Sequence, residues 1–247
     1  MSDHRFNPFE APLQPASLLR RYKRFLADLE LEDGTQILAH CPNSGSMLGM
    51  KEPGSPCYVR PVDDPKRKLK WTWELVSPDQ GATWVGMNTQ RPNQVVEWAI
   101  QEGLIPGLSA EAGLRREVKY GREGRSRIDL LLGNKEAGLT YVEVKNTTLA
   151  EDGLARFPDA VTARGAKHMD ELVHVVEEGH RAAVVFFVNR ADCDRFDVAR
   201  DIDSAYGEAF DRAVAAGVQI VPLGMKVGPQ GWRVRERLPM LAAAIPR

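Results

Sequence analysis

Three charged residues in the middle of the chain stand in apolar surroundings. Asp129 interrupts the segment RIDLLLG, and Glu143 and Lys145 interrupt the segment YVEVKN. Both segments have the composition of β-strands, where side chains alternate between two faces, so Glu143 and Lys145 share one face about 7 Å apart. Charged side chains are rarely buried unless they are paired or bind a metal. Two neighbouring strands that each carry an acid therefore predict a metal site.

The oxygen ligands decide which metal and which chemistry fit. Carboxylates favour Mg²⁺ or Mn²⁺ over zinc. Such an ion activates water and neutralises charge on a phosphodiester, and Lys145 would orient that water or stabilise the developing charge. The predicted catalytic residues are Asp129, Glu143 and Lys145, with Asp129 and Glu143 as metal ligands and the Val144 carbonyl as a further candidate ligand. The alternative is that Glu143 and Lys145 face solvent on an edge strand.

Basic residues beyond this cluster predict a polyanionic partner. The sequence of the next helix gives Arg164, Lys167 and His168 at i, i+3 and i+4, which places them on one helix face where they would contact phosphates. Further basic runs at residues 20–24 and 66–70 stand beside aromatic residues, which stack on unpaired bases. A third basic run spans residues 115–127. From these runs, the predicted DNA-binding residues are Arg20, Arg21, Lys23, Arg24, Lys68, Lys119 and Arg127. The alternative is that each group is a solvated turn or helix surface.

The elements that must position these residues fall into two predicted domains, residues 1–90 and 91–247. The first contains several short strands punctuated by Pro and Gly, with Asp33-Gly34 as a hairpin turn, which predicts a small barrel or sandwich. The second shows the order α-β-β-β-α-β-α-β, with the first helix over QVVEWAIQEG and the second over DAVTARGAKHMDELVHVVEEG. This order predicts an α/β layer with a mixed sheet.

Composition excludes several classes of protein. The 247 residues carry 33 Lys and Arg against 34 Asp and Glu, a formal charge of -1, which excludes a globally basic chromatin protein. No apolar run reaches the roughly 18 residues of a membrane span, and the first residues lack the pattern of a signal peptide, so we expect a cytoplasmic protein without a membrane partner. Neither a Walker A loop nor a GxGxxG motif is present, so no nucleotide cofactor is expected.

The segment HCPNSGSM, from His40 to Met47, offers a second kind of chemistry. Its Cys and Ser residues would suit a Ser or Cys hydrolase, but GxSxG is missing and no acid or oxyanion donor can be assigned. The alternative is a turn after a strand, in which Asn43, Ser44 and Ser46 bond backbone groups. We expect the turn.

The strand order, with Asp129 on the middle strand and Glu143 and Lys145 on the next, resembles the PD-(D/E)xK nuclease superfamily. Nearly the whole chain resembles the sugar fermentation stimulation protein A (SfsA) family. The resemblance rests on these segments: RYKRFLAD, HCPNSGSM, KLKWTWE, GMNTQRPN, REVKYG, SRIDLLL, YVEVKN and FPDAVTARGAKHMDEL. It implies an α+β/α/β protein with an N-terminal OB-like β-barrel and a restriction-endonuclease-like α/β domain. It also implies largely sequence-independent DNA binding.

The first helix departs from the nuclease pattern. In relatives an acid can occupy the position held here by Trp98, whereas this chain has Glu97, and one residue turns a helical side chain by about 100°. Glu97, Glu117 or neither is therefore the additional metal ligand.

The main hypothesis is a DNA-binding, Mg²⁺-dependent deoxyribonuclease. The alternatives are a non-catalytic DNA-binding regulator of sugar (maltose) metabolism genes, and a small-molecule enzyme or sugar-binding protein. The oligomeric state is open, with a homodimer as one option.

Overall fold

The computed structural model describes residues 4–122, 124 and 126–241. The chain divides into two compact units. The barrel unit comprises Met1–Arg91, Asn189–Asp192 and Met225–Arg235, and the α/β unit comprises Pro92–Val188, Cys193–Gly224 and Glu236–Arg247.

The barrel unit is built from short, mostly antiparallel strands around an apolar centre. Its strands up to residue 91 are β1 (Arg5–Phe6), β2 (Gln14–Tyr22), β3 (Leu26–Leu31), β4 (Gln36–His40), β5 (Pro56–Pro61), β6 (Trp71–Val76) and β7 (Val85–Gly86). The sheet order is β4-β3-β2-β5-β6-β7, and an additional pairing of β4 with β6 closes five strands into a barrel. Alternate residues such as Leu18, Leu29, Val59 and Trp73 fill the interior. The predicted OB-like barrel is confirmed.

Local turn chemistry sets two features of this barrel. Asp33-Gly34 forms the predicted hairpin turn between β3 and β4, with Gly34 at a φ of 83° and the Thr35 N–H donating to Asp33 Oδ1 at 2.9 Å. After β4, Asn43 Oδ1 accepts a hydrogen bond from the Gly45 N–H at 2.8 Å. This contact is of the kind expected for a turn over HCPNSGSM.

The α/β unit carries a mixed sheet with helices. The remaining elements of the chain are α1 (Arg91–Gln101), β8 (Leu114–Tyr120), β9 (Ser126–Asn134), β10 (Gly138–Thr147), β11 (Leu149–Glu151), β12 (Leu154–Phe157), α2 (Ala163–Glu177), β13 (Arg181–Val188), β14 (Arg195–Val198), α3 (Ser204–Ala215), β15 (Gln219–Lys226) and β16 (Trp232–Arg237). Most of β16 and the end of β15 belong to the barrel unit. In the order β15-β13-β10-β9-β8, β10 is parallel to β13 and antiparallel to β9. The predicted mixed sheet is confirmed.

A buried apolar cluster joins the sheet to α2 and α3. Val184 and Phe186 of β13 pack with Met169 and Leu172 of α2 and with Phe210 of α3, all nearly inaccessible to solvent. This packing fixes α2 on β13, the strand that pairs with β10, which carries Glu143 and Lys145. None of the helices in the described ranges is long and apolar enough to cross a membrane.

The structure differs from the predicted elements at their ends. Helix α1 begins at Arg91, three residues earlier than predicted. Helix α2 begins at Ala163 because Thr162 caps it, with its side chain accepting from the Gly165 N–H at 3.1 Å. The short strands β11, β12 and β14 were not predicted, since three or four residues are too few to show an alternating pattern.

Candidate metal and nucleic-acid site

The register of β9 and β10 brings Asp129 and Glu143 together. The backbone ladder ends at the pair Leu130–Val142, and Asp129 and Glu143 are the next residues on the two strands. There Asp129 Oδ2 accepts a hydrogen bond from the Val144 N–H at 2.7 Å, so the aspartate takes the place of a backbone acceptor. Residues opposite each other on paired strands point to the same face, so the two carboxylates are neighbours.

The two oxygens of Glu143 have different surroundings. Oε1 accepts a hydrogen bond from Lys145 Nζ at 2.7 Å and lies 2.5 Å from His168 Nδ1. Oε2 is buried and has no hydrogen-bond partner among the described residues. A buried carboxylate oxygen without a partner is costly, so this atom is the feature of the site that most favours a bound cation.

Asn93 of α1 is part of this site and was missed by the sequence analysis. Its Nδ2 donates to Asp129 Oδ1 at 2.8 Å, so both oxygens of Asp129 are held, one by a helix and one by a strand. The sequence did contain a signal for Asn93, because this residue lies four positions before Glu97, a candidate metal ligand, and therefore on the same helix face.

Burial and charge shift the pKa values of the two acids in opposite directions. Burial and the nearby charge of Glu143 raise the pKa of Asp129 to about 6, although Val144 and Asn93 partly offset the rise. Burial alone would raise the pKa of Glu143 as well, but Lys145 and His168 outweigh burial and lower it. The site therefore holds Glu143 ionised beside an aspartate that resists ionisation.

The two acids considered as additional ligands have different surroundings. Glu97 is buried and forms a two-point ion pair with Arg116, with Nε–Oε2 at 2.5 Å and Nη2–Oε1 at 2.8 Å. Glu117 on β8 is exposed and has a φ of 52°, which is uncommon for a residue other than glycine. The additional ligand thus stays a prediction, and it is Asn93 of α1 that contacts Asp129.

The basic residues of α2 divide between the surface and the site. Arg164 and Lys167 are exposed, whereas His168 is buried against Glu143. Arg164 Nε lies 3.4 Å from His168 Nε2, so it continues the chain of contacts outward from Glu143. The structure places His168 as a neighbour of the acid, and its contact with phosphate stays a prediction.

Two further predicted DNA-binding residues stand opposite each other on the sheet. Lys119 of β8 pairs with Arg127 of β9, and both side chains are exposed. Like charges directly across a strand pair are destabilising, and a bound polyanion would offset that cost. Arg125, which belongs to the same basic run, lies outside the described residues.

The basic residues of the barrel unit have different roles. Arg20 pairs with Asp28 at 2.6 Å and lies over the Tyr22 ring, and Arg21 donates to the carbonyls of Arg24, Asn43 and Gly45. Both therefore have partners within the barrel. The other three predicted residues, Lys23, Arg24 and Lys68, are exposed.

The donor set of the site is small. In the described part of the chain, no group of three or more His, Cys, Asp and Glu side chains is arranged to hold a metal ion. Asp129 and Glu143 provide two carboxylates, and Mg²⁺ is often held by one or two carboxylates while it keeps several waters. The residues present fit such an ion.

Comparison with known proteins defines the class of each unit and then the family. An N-terminal OB domain model of the family, SfsA_N, matches residues 19–87, and the model described as the sugar fermentation stimulation protein RE domain matches residues 90–231. The chain belongs to the sugar fermentation stimulation protein (SfsA) family.

Relatives of similar length support this assignment. A sugar fermentation stimulation protein homolog of Ruegeria pomeroyi is 49% identical over 231 residues, covering 93% of this chain and 99% of the relative. A homolog of Rhodospirillum centenum is 53% identical over 224 residues, covering 90% and 94%. The structure of Pyrococcus furiosus SfsA in complex with Ca²⁺ matches with a TM-score of 0.82 at 26% identity, covering 93% of this chain and 96% of that one.

Proposed function

We propose that this protein binds DNA and hydrolyses phosphodiester bonds with the help of Mg²⁺ or Mn²⁺. The observation that carries the proposal is the cluster of Asp129 and Lys145 around the buried Glu143, in which Glu143 Oε2 has no partner among the described residues. Acid pairs in apolar surroundings are costly to maintain, and they are typical of sites where charge is used in chemistry.

Asp129 and Glu143 would hold the cation, with the Val144 carbonyl as a further oxygen donor. The ion supplies an activated water and neutralises charge on the phosphate. The structure of Pyrococcus furiosus SfsA was solved in complex with Ca²⁺, which supports a divalent cation on this fold. Ca²⁺ and Mg²⁺ both bind oxygen donors of the kind that this site offers.

The protein's own residues would do the remaining work. The Lys145 side chain is 11% exposed and its Nζ lies 2.7 Å from Glu143, so its positive charge stands at the site where a phosphate would gain negative charge. His168 and Lys145 together occupy Glu143 Oε1 and leave Oε2 available. Asn93 and the Val144 N–H keep Asp129 from turning away.

Exposed cations of the same unit would bind the substrate. Lys119 and Arg127 on the sheet and Arg164 and Lys167 on α2 offer positive charge to phosphates. Contacts to phosphate carry no direct sequence information, so this mode of binding is expected to be largely independent of sequence.

A cleavage panel tests the proposal. Purified protein is incubated with single-stranded, duplex and branched DNA in the presence of Mg²⁺ or Mn²⁺, beside Lys145→Ala. We expect metal-dependent cleavage of at least one substrate and its loss in Lys145→Ala. A matched control is Asp170→Asn, which removes an exposed ion pair with Arg212 and should cut like the wild type. The enzymatic proposal fails if no substrate is cut or if Lys145→Ala cuts equally well.

A second candidate is a non-catalytic DNA-binding regulator of sugar metabolism genes. It is favoured by the family's name and by the small donor set, since the described residues contain no three-membered metal-binding group. DNA binding that weakens steeply with salt, without cleavage of any substrate in the panel, would select this candidate.

A further inference from the structure

Three loops leave the barrel at the same end. Across the strands, Leu26 pairs with His40, His40 pairs with Thr72, and Thr72 pairs with Arg60. Neighbouring strands lie about 5 Å apart, so the ends of these strands are grouped together. The turn at residues 23–25, the segment 41–51 and the loop 62–70 therefore emerge side by side, and we call them the barrel-end surface.

Positive charge dominates the barrel-end surface. Its basic residues are Lys23, Arg24, Lys51, Lys66, Arg67, Lys68 and Lys70, and its acidic residues are Asp63 and Asp64. Burial lowers the pKa of His40 and the charge of Arg67 lowers it further, which agrees with the 62–70 loop lying against the end of β4. The surface thus suits an anionic ligand.

The barrel-end surface also carries an exposed aromatic ring, that of Phe25. Phe25 is 52% exposed, although its backbone is fixed on both sides, with its N–H donating to Lys23 at 2.8 Å and its carbonyl accepting from Cys41 at 2.7 Å. The turn before it places Lys23 and Arg24 at φ values of 48° and 62°, a strained conformation for residues other than glycine. Such strain persists only where the surroundings enforce it.

Arg21 holds the turn at residues 23–25 in this conformation. Its Nη2 donates to Arg24, Asn43 and Gly45 carbonyls at 3.0, 2.9 and 3.3 Å, and so ties the turn to the neighbouring segment. That segment also leaves Leu48 54% exposed. Two exposed apolar side chains thus stand on a fixed backbone among cations.

The outer face of β3 has a different character. Along β3, Ala27 and Leu29 are buried, and the alternating Asp28 and Glu30 point outward. OB-folds bind oligonucleotides through a strand face and through loops of this kind, and acids on the face disfavour a polyanion there. The loops are therefore the favoured contact.

We propose that the barrel-end surface binds single-stranded DNA, with an unpaired base stacked on Phe25 and phosphates on the surrounding Lys and Arg side chains. The inference rests on the DNA binding of the proposed function and adds the strandedness of the ligand. A duplex keeps its base faces inside the stack, whereas an unpaired base offers one to an exposed ring.

Fluorescence anisotropy in EDTA tests the proposal without cleavage. The full chain is titrated into a labelled 20-nucleotide thymidine strand and into a labelled 20-base-pair duplex. We expect the single strand to bind about tenfold tighter or more, and Phe25→Ala to weaken it by about tenfold, the cost of one lost base stack. Phe25→Trp should bind at least as well as the wild type. Leu38→Ala is the matched control, because Leu38 is 38% exposed on the strand face and its loss should change nothing.

Salt dependence separates the two kinds of contact. Lys68→Ala should reduce the slope of log affinity against log salt by about 0.7, whereas Phe25→Ala should leave the slope unchanged. Equal or tighter binding of the duplex, or single-strand affinity unchanged in Phe25→Ala, would overturn the inference. If the protein cleaves DNA but prefers duplex, this inference fails and the proposed nuclease function does not. If it binds single strands tightly but cleaves no DNA, the nuclease function fails and this inference does not.

Discussion

At the scale of single residues, the site depends on how each carboxylate oxygen is used. Three of the four oxygens of Asp129 and Glu143 have partners, from Val144, Asn93, Lys145 and His168. The fourth, Glu143 Oε2, is buried without one among the described residues. Such a group costs stability, which is the expected trade-off when a buried site is arranged for a ligand.

Asp129→Asn is expected to stabilise the metal-free protein. The pKa of Asp129 is raised to about 6 by burial and by Glu143, so the folded state holds its proton more tightly than the unfolded state, where the pKa is about 4. The stabilisation that the protonated Asp129 contributes is fully present below about pH 4 and is lost as the pH rises through 6. Thermal unfolding in EDTA should show a gain of about 1–3 kcal/mol at pH 7.5 and almost none at pH 4.

The matched control for this measurement is Asp170→Asn. Asp170 is exposed and pairs with Arg212, so its substitution should change the melting temperature little at either pH. A gain in Asp129→Asn that is equal at both pH values would contradict the assigned burial and charge of Asp129.

At the scale of elements, the positions of functional side chains follow from strand pairing and loop anchoring. The ladder of β9 and β10 ends where Asp129 begins to bond the Val144 N–H, and α2 is packed so that His168 reaches Glu143. In the barrel, Arg21 joins two loops through three backbone carbonyls. An arginine in a basic run can therefore be a structural tie as well as a phosphate ligand.

Arg21→Ala and Arg20→Ala are expected to differ sharply. Removing Arg21 leaves carbonyls of two loops without their donor and should lower the free energy of unfolding by about 1–3 kcal/mol. The Arg20 side chain is 70% exposed, and its pairing with Asp28 is screened by water, so Arg20→Ala should melt close to the wild type. Urea unfolding of both variants measures the difference, and equal stabilities would refute the structural role of Arg21.

At the scale of the whole molecule, the sequence predicts the architecture better than it predicts the contacts between side chains. Short strands with Pro and Gly between them predict the barrel, and alternating apolar and charged residues place Glu143 and Lys145 on one face. The contacts of Asn93 with Asp129 and of His168 with Glu143 join segments 36 and 25 residues apart. No local pattern encodes such a pairing, because it is decided by how helices pack on the sheet.

The same limit applies to charged residues, whose partners cannot be predicted from the sequence. The basic runs are visible in the sequence, but their partners are not. Arg20 and Arg21 are engaged within the barrel, whereas Lys23 and Arg24 of the same run are exposed. The grouping of residues 23–25 with the 62–70 loop depends on barrel closure through the pairing of β4 with β6, which joins strands distant in sequence.

Calorimetric titration of the metal-free protein with Mn²⁺ tests the central claim most directly, since that claim is a divalent cation held by Asp129 and Glu143. We expect saturable binding of Mn²⁺ to the wild type and to Asp170→Asn, and its loss in Asp129→Asn and in Glu143→Gln. Wild-type protein that binds no Mn²⁺, or carboxylate variants that bind it as tightly as the wild type does, would contradict the account.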